Sequence, residues 1–320
     1  MIHPPAERPP TVRQLVILSG KGGTGKTSLA AAFAHLAHDG PPTLRAVLAD
    51  ADVDAANLEL VLHPQLLEAH EFIGGSAAQI DPQVCGGCGI CAQVCRFDAV
   101  LPPAGGGQGD SSYRIDAVAC EGCAACAYQC PSQAIRMQPQ VAGQWFRSDT
   151  RYGPLFHAAL RPAQENSGKL VTLVKQQARL LAMDDGYQAV MVDGPPGIGC
   201  PVISAASGAD QAVLVAEPTV AGIHDLARAL QTAAHFQVPA AVCVNKADVY
   251  PEGTERIEAY CRAEGIEMLG RIPFDATVTE AMVRGEPVTA YRPGAAASRA
   301  ITAIWQRVAA GLLAHQDKAP

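Results

Sequence analysis

Basic residues are few and nowhere massed: 24 Lys and Arg stand against 31 Asp and Glu, for a net charge of −7. With no dense Lys or Arg run, a strong nucleic-acid binding face is excluded. Long apolar runs are also missing. No stretch of about 18 apolar residues occurs, so neither a membrane-spanning helix nor integral membrane association is expected. The opening MIHPPAERPPTVRQ has prolines and no apolar segment of the kind a secretion signal needs. A cytoplasmic location is the expectation, and there the eleven cysteines read as thiolate metal ligands rather than disulfides. A chain of 320 residues, 48% of them hydrophobic, can bury a large core and house about two domains.

Short aliphatic runs at Gln14–Leu18, Ala46–Ala49, Ala189–Val192, Ala212–Val215 and Ala241–Val244 are each followed by a loop and usually by a helical pattern, the first by Thr27–Ala37. This alternation predicts an α/β fold with a doubly wound parallel sheet. Between about Ile80 and Gln140 the rhythm breaks into two similar halves, IDPQVCGGCGICAQVCRFDAV and IDAVACEGCAACAYQCPSQAI, joined by the Gly/Pro-rich link Pro102–Gly109. Because the α/β pattern resumes afterwards, the duplicated segment is an insertion. The expected organisation is an N-terminal tail at 1–11, the first part of the α/β domain at 12–79, the inserted module at 80–140, the second part at 141–315 and a C-terminal tail at 316–320. Near the end, Ile301, Ile304, Trp305, Val308, Leu312 and Leu313 share a helical stripe that predicts core packing; Arg299, Arg307 and Lys318 offer too little positive charge for a membrane-surface helix.

Gly20-Lys21-Gly22-Gly23-Thr24-Gly25-Lys26-Thr27, continued by Ser28, satisfies G-x-x-x-x-G-K-[ST], follows a predicted strand and opens a predicted helix. Small residues let backbone N–H groups close around phosphates, Lys26 neutralises their charge, the Thr27 hydroxyl can ligate Mg²⁺, and the helix N-terminus adds a favourable dipole. The inserted halves both read C-x₂-C-x₂-C-x₃-C, the spacing of bacterial two-cluster ferredoxins. Three cysteines on a tight turn bind three corners of a [4Fe-4S] cube, and the fourth crosses to the other cube. This assigns Cys85, Cys88, Cys91 and Cys130 to one cluster and Cys120, Cys123, Cys126 and Cys95 to the other. Paired C-x₂-C units can also bind zinc, which is the competing reading. Cys243 and Cys261 read as small packed hydrophobes.

KGGTGKT, with Lys21 directly after the first glycine, resembles the deviant phosphate loop of the MinD/ParA/Mrp and nitrogenase iron-protein class. The resemblance implies an ATP-sandwich dimer in which Lys21 reaches the partner's nucleotide and stabilises charge on the transferring phosphate. Asp50-Ala51-Asp52-Val53-Asp54-Ala55-Ala56-Asn57-Leu58 looks like that class's first switch and Asp193-Gly194-Pro195-Pro196-Gly197-Ile198-Gly199 like its second. From this likeness Asp50 and Asp193 are expected near Mg²⁺ and Asp52 as the residue orienting attacking water, while Asp54 is a solvated or capping residue. Asn245-Lys246-Ala247-Asp248 and Ile272-Pro273-Phe274-Asp275 resemble base-recognition loops, with Asn245 and Pro273 as nucleotide contacts; because NKxD also occurs in GTPases, ATP and GTP both stay open. Arg96 departs from the ferredoxin pattern, which has proline there. Cys200, just after the second switch, sits where the iron-protein family has a cluster ligand; the alternative is a buried thiol.

With Ser148-Asp149-Thr150-Arg151-Tyr152-Gly153 and Glu165-Asn166-Ser167-Gly168-Lys169-Leu170 added, residues from about 12 to 312 are similar to MinD-superfamily P-loop ATPases carrying an inserted ferredoxin domain. Ser167 also suits the N-cap of a helix over Gly168–Leu181. The resemblance implies ATP, Mg²⁺ and two [4Fe-4S] clusters as cofactors, a homodimer or a heterodimer with a related ATPase, and a redox or metallocluster-binding protein as partner. Three tasks fit: nucleotide-gated electron transfer, an ATP-dependent iron–sulfur or heterometal cluster carrier, and a redox-sensing regulatory ATPase.

Overall fold

A computed structural model describes residues 12–103, 112–162 and 166–314. The tail 1–11, most of the Pro102–Gly109 link, Glu165, Lys318 and the tail 316–320 lie outside the described residues. The strands are β1 (Arg13–Ser19), β2 (Ala46–Asp50), β3 (Gln65–Ile80), β4 (Val100–Leu101), β5 (Arg114–Ile115), β6 (Ile135–Thr150), β7 (Gly153–Leu160), β8 (Ala189–Pro196), β9 (Gln211–Ala216), β10 (Ala240–Asn245) and β11 (Glu267–Ile272). The helices are α1 (Lys26–Asp39), α2 (Leu58–Leu62), α3 (Ile90–Val94), α4 (Ala125–Tyr128), α5 (Ser167–Asp184), α6 (Cys200–Ala206), α7 (Val220–His235), α8 (Pro251–Ala263), α9 (Ala276–Arg284), α10 (Val288–Tyr291) and α11 (Ala296–Ala314). Two compact units result, one formed by the chain up to His70, Trp145–Ala159 and Ser167 onward, the other by Glu71–Gln144 and Leu160–Asn166.

Each aliphatic run of the sequence forms a strand because both of its faces are covered, so no polar alternation is needed. The sheet runs β11-β10-β9-β1-β8-β2-β7-β6-β3, and the pairs among β11, β10, β9, β1, β8, β2 and β7 are parallel. This is a doubly wound α/β fold. Leu15 and Ile17 of β1 join a core with Phe33 of α1 and Ile301, Ile304, Trp305, Val308 and Leu312 of α11, while Leu313 is only partly buried. The Phe33 and Trp305 rings lie 5.2 Å apart, and truncating so buried a tryptophan costs about 3–5 kcal/mol.

Two local readings change. β8 continues through Pro196, because Ser19 of β1 pairs with Pro196 after a register shift; the second-switch residues Asp193–Pro196 therefore begin as strand and not as loop. Ser167 is the first residue of α5 and not its cap, following Asn166 at φ 80°. β3 and β6, sixteen residues each, were not legible as strands, and the second compact unit begins at Glu71, within β3.

The duplication persists in the backbone of the second unit. Gly87 and Gly122, Gly89 and Ala124, and Asp98 and Gln133 are equivalent pairs in the two halves, and all six have positive φ. The halves are stitched reciprocally: Asp81 N–H donates to the Ala134 carbonyl and Asp116 N–H to the Ala99 carbonyl, both at 2.8 Å. A small core of Ala78, Cys91 and Ile135, with Ile80, Val100, Ile115 and Met137 against it, includes Cys120, Cys126 and Cys130 at its edge.

Candidate functional site

The loop between β1 and α1 is shaped by Gly25, whose φ is 96° and where a Cβ would lie 2.4 Å from Asn245 Nδ2. Only glycine meets both demands. The Asn245 amide donates to the Thr24 carbonyl at 2.7 Å, so β10 braces the loop from the side. Lys26 is buried and donates to Ser19 Oγ at 2.9 Å, which donates to the Lys21 carbonyl at 2.6 Å. Burial lowers the pKa of Lys26, opposed by the charges of Asp193, Asp52 and Asp50.

Those three acids converge because β2 and β8 are neighbours, with Asp50 and Asp193 in register. Asp50 is fully buried; one oxygen accepts from Asp52 N at 3.0 Å, the other from Asn57 N at 3.1 Å and Leu58 N at 3.0 Å. Burial first, and then the charge of Asp193, push its pKa well up. Asp193 is buried with both carboxylate oxygens lacking a hydrogen-bond partner. Its pKa is also raised by burial; Thr27 lies near enough to oppose the rise without reaching hydrogen-bond geometry, and Lys26 opposes it too. Half-buried Asp52 is raised mainly by burial, against the pull of Lys26. Asp54 is exposed. Two buried carboxylates side by side, one wholly without partners, with the Thr27 hydroxyl adjoining, are a donor set suited to a hard oxygen-loving cation.

Glu217, at the end of β9, is a site residue the sequence reading missed. Its carboxylate takes Lys21 Nζ at 2.8 Å and Lys246 Nζ at 2.6 Å, with the glutamate side chain 12% exposed. Burial works upward on its pKa, but hydrogen bonds from the two lysines prevail and lower it. The signal was available: an acid just after an aliphatic strand run, where Asp50 and Asp193 also stand. Lys21 is thus folded back onto its own chain. Asp248 accepts from Phe274 N at 2.6 Å, tying together the loops that carry Asn245 and Pro273. The Ser28 hydroxyl faces Met282 Sδ at 3.2 Å.

Cys85, Cys88, Cys91 and Cys130 line one small cavity of the second unit, and Cys95, Cys120, Cys123 and Cys126 line another. Among the described residues no group of three or more His, Cys, Asp or Glu is arranged for a metal ion; a zinc site would need its ligand sulfurs about 2.3 Å from one ion. A cube takes each thiolate on a different iron, so four cysteines around one cavity fit its ligand demand without converging on a point. Burial raises the Cys91 and Cys126 thiols. Burial also acts upward on Cys130, but hydrogen bonding with Ser132 and the Ala134 N–H outweighs it and the pKa falls. Cys200 is exposed at the first turn of α6, which removes the buried-thiol reading, whereas Cys243 and Cys261 are buried in the core. At the other end of α6, Lys175 Nζ donates to the Ser204, Ala205 and Ser207 carbonyls at 2.6, 2.8 and 2.7 Å.

Comparison with known proteins adds the lineage. The family model described as the CobQ/CobB/MinD/ParA nucleotide binding domain matches residues 15–288. An uncharacterised protein of Methanocaldococcus jannaschii is 32% identical over 236 residues, 73% of this chain and 78% of that protein. The iron-sulfur cluster carrier protein of Pyrococcus horikoshii is 28% identical over 122 residues, 34% of this chain and 41% of that protein. Among solved structures, the septum site-determining protein MinD of Pyrococcus horikoshii, complexed with Mg-ADP, superposes with a TM-score of 0.57 and 17% identity, covering 97% of this chain and 100% of that one. At that identity the likeness concerns the fold.

Proposed function

The chain belongs to the CobQ/CobB/MinD/ParA nucleotide-binding family, and from that premise we propose that it is an ATP-hydrolysing iron–sulfur protein coupling nucleotide-driven dimer switching to electron transfer through two [4Fe-4S] clusters. The observation that carries the reading is the crossed grouping of cysteines: each cavity takes three from one half of the duplication and one from the other. That crossing is the ligand pattern of a two-cluster ferredoxin. Cys85, Cys88, Cys91 and Cys130 would hold one cluster, and Cys120, Cys123, Cys126 and Cys95 the other. Bound there, the clusters supply one-electron transfer to a redox or metallocluster-binding partner.

At the nucleotide site Gly20–Ser28 wrap the phosphates with backbone N–H groups, and Lys26 neutralises their charge. Thr27, Asp50 and Asp193 would hold Mg²⁺, whose part is to neutralise phosphate charge; the partnerless oxygens of Asp193 support this. Asp52 orients the attacking water. Asn245 and Pro273 contact the adenine. Lys21 leaves Glu217 to meet the nucleotide of the second subunit in a homodimer or a heterodimer with a related ATPase.

A second reading, an ATP-dependent cluster carrier or assembly factor, is favoured by the exposed Cys200 and by the name of the Pyrococcus relative. One experiment separates the two. Protein purified without oxygen is assayed for iron, for its paramagnetic signal after reduction, and for reduction of a co-purified partner with ATP or ADP. About eight irons per chain that stay bound, with partner reduction requiring ATP, support electron transfer. Iron passing to an apo-protein supports the carrier. Two zinc ions with no signal overturn both.

A further inference from the structure

At the amino ends of β2, β7 and β8 lies a cavity of about 460 Å³ that the nucleotide chemistry leaves unused. The phosphate loop sits at the opposite, carboxyl end of these parallel strands. The cavity wall includes His38, Arg45, Arg151, Tyr152, Tyr187 and Gln188, and its size falls in the range of small-molecule pockets, about 300–1,000 Å³.

Two guanidinium groups dominate its chemistry. Arg45 lies over the Tyr187 ring at 4.6 Å and Arg151 over the Tyr152 ring at 5.6 Å. A guanidinium held over an aromatic ring by cation–π attraction keeps N–H donors for a carboxylate or phosphate. Among the described residues neither arginine is in an ion pair. Arg45 spends one N–H on the Asp185 carbonyl at 3.4 Å. Asp39 Oδ1 lies 2.8 Å from His38 Nδ1, and its charge is felt at Tyr152 on the cavity wall.

The turn that delivers Arg151 is built and not incidental. Thr150 Oγ1 donates to the Gly153 carbonyl at 2.7 Å and accepts from Tyr152 N at 3.1 Å. Gly153 has φ 133°, and a Cβ there would lie 2.6 Å from the Ala46 carbonyl. Tyr152 is buried, its ring edge-on to His35 at 5.5 Å. These residues belong to the Ser148–Gly153 segment, which the nucleotide and cysteine sites do not use.

We propose that this cavity is a second ligand site, for a small molecule bearing carboxylate or phosphate groups that Arg45 and Arg151 grip together. Helix α1 links it to the nucleotide: Lys26 opens the helix at the phosphate loop, and Ala37 and His38 line the cavity at its other end.

The test is calorimetric titration of the full chain, saturated with ADP in Mg²⁺-free buffer, using citrate and, separately, inorganic phosphate. Saturable binding of either probe is expected, weakened about tenfold or more in the Arg45→Gln/Arg151→Gln double variant, since charge-assisted hydrogen bonds are lost. Citrate alone binding would make the ligand a carboxylate, and phosphate alone a phosphate ester. Arg151→Lys, which keeps the charge but not the planar fork, is the gentler control and should weaken binding by a smaller factor. No saturable binding of either probe overturns the proposal, as does equal binding by wild type and the folded double variant.

Discussion

Asp193→Asn should make the metal-free protein more stable while abolishing its response to magnesium nucleotide. In-register residues on adjacent strands have backbones about 4.8 Å apart, and Asp50 and Asp193 are such a pair. Burial is the larger cost of ionising either acid, and when both are ionised two carboxylates about 5 Å apart repel by about 3 kcal/mol more at an effective dielectric near 20. Lys26 offsets part of this, and the asparagine amide would itself stay buried with few partners, so a net gain of about 1–3 kcal/mol is expected. For a chain of this size that is a rise of roughly 2–6 °C in the unfolding midpoint. The assay is thermal unfolding in EDTA without nucleotide, then with MgATP at about 100 times its dissociation constant, where wild type should gain about 2.7 kcal/mol. The variant should gain far less and hydrolyse ATP at least about 100-fold more slowly. A variant that melts lower in EDTA would refute the claim that these carboxylates strain the metal-free fold. Retention of the full magnesium-dependent gain would refute the cation site.

The same pair sets a pH dependence. Burial raises both acids above the ordinary carboxylate range, so in that window the folded state holds protons that the unfolded state has released, and metal-free stability falls as pH rises; the midpoint gap between Asp193→Asn and wild type in EDTA should widen from about pH 5.5 to 7.5. Lys175→Met removes three donor contacts from the carboxyl end of α6 and should cost about 2–5 kcal/mol in urea unfolding; a loss below about 1 kcal/mol would show that water takes over those carbonyls. Cys130→Ser should lower iron from about eight to about four per chain, with the loss confined to the cluster of Cys85, Cys88 and Cys91; loss of a random share from both would break the crossed assignment. Lys21→Ala should slow ATP turnover about 10³-fold or more with nucleotide affinity nearly kept, and unchanged turnover would leave Lys21 merely the partner of Glu217.

Much of the candidate site was legible because its chemistry is local in sequence. Gly20–Ser28 carry a loop, a charge and a helix start within nine consecutive positions, and the four-cysteine runs repeat at fixed spacing. Asp50 and Asp193 were legible through the likeness of their segments to the two switches. Glu217, also at a strand's carboxyl end, was overlooked because no motif surrounds it; its partners Lys21 and Lys246 are far away in the chain. β3 and β6 escaped notice because seven of the first residues of β3 are exposed on both faces, leaving no alternation to detect.

The sequence by itself determined the parallel α/β core, the phosphate loop and the duplicated cysteine halves, because aliphatic runs, glycine positions and ligand spacing act over short stretches of chain. Only the tertiary structure decided that Asp50 and Asp193 stand in register with no partner for the second, and that Lys21 rests on Glu217. It also decided that Arg45 and Arg151 line one cavity. Those are facts of strand order and register, which depend on how distant segments pack, and packing is set by the burial of the whole core rather than by any local run of residues.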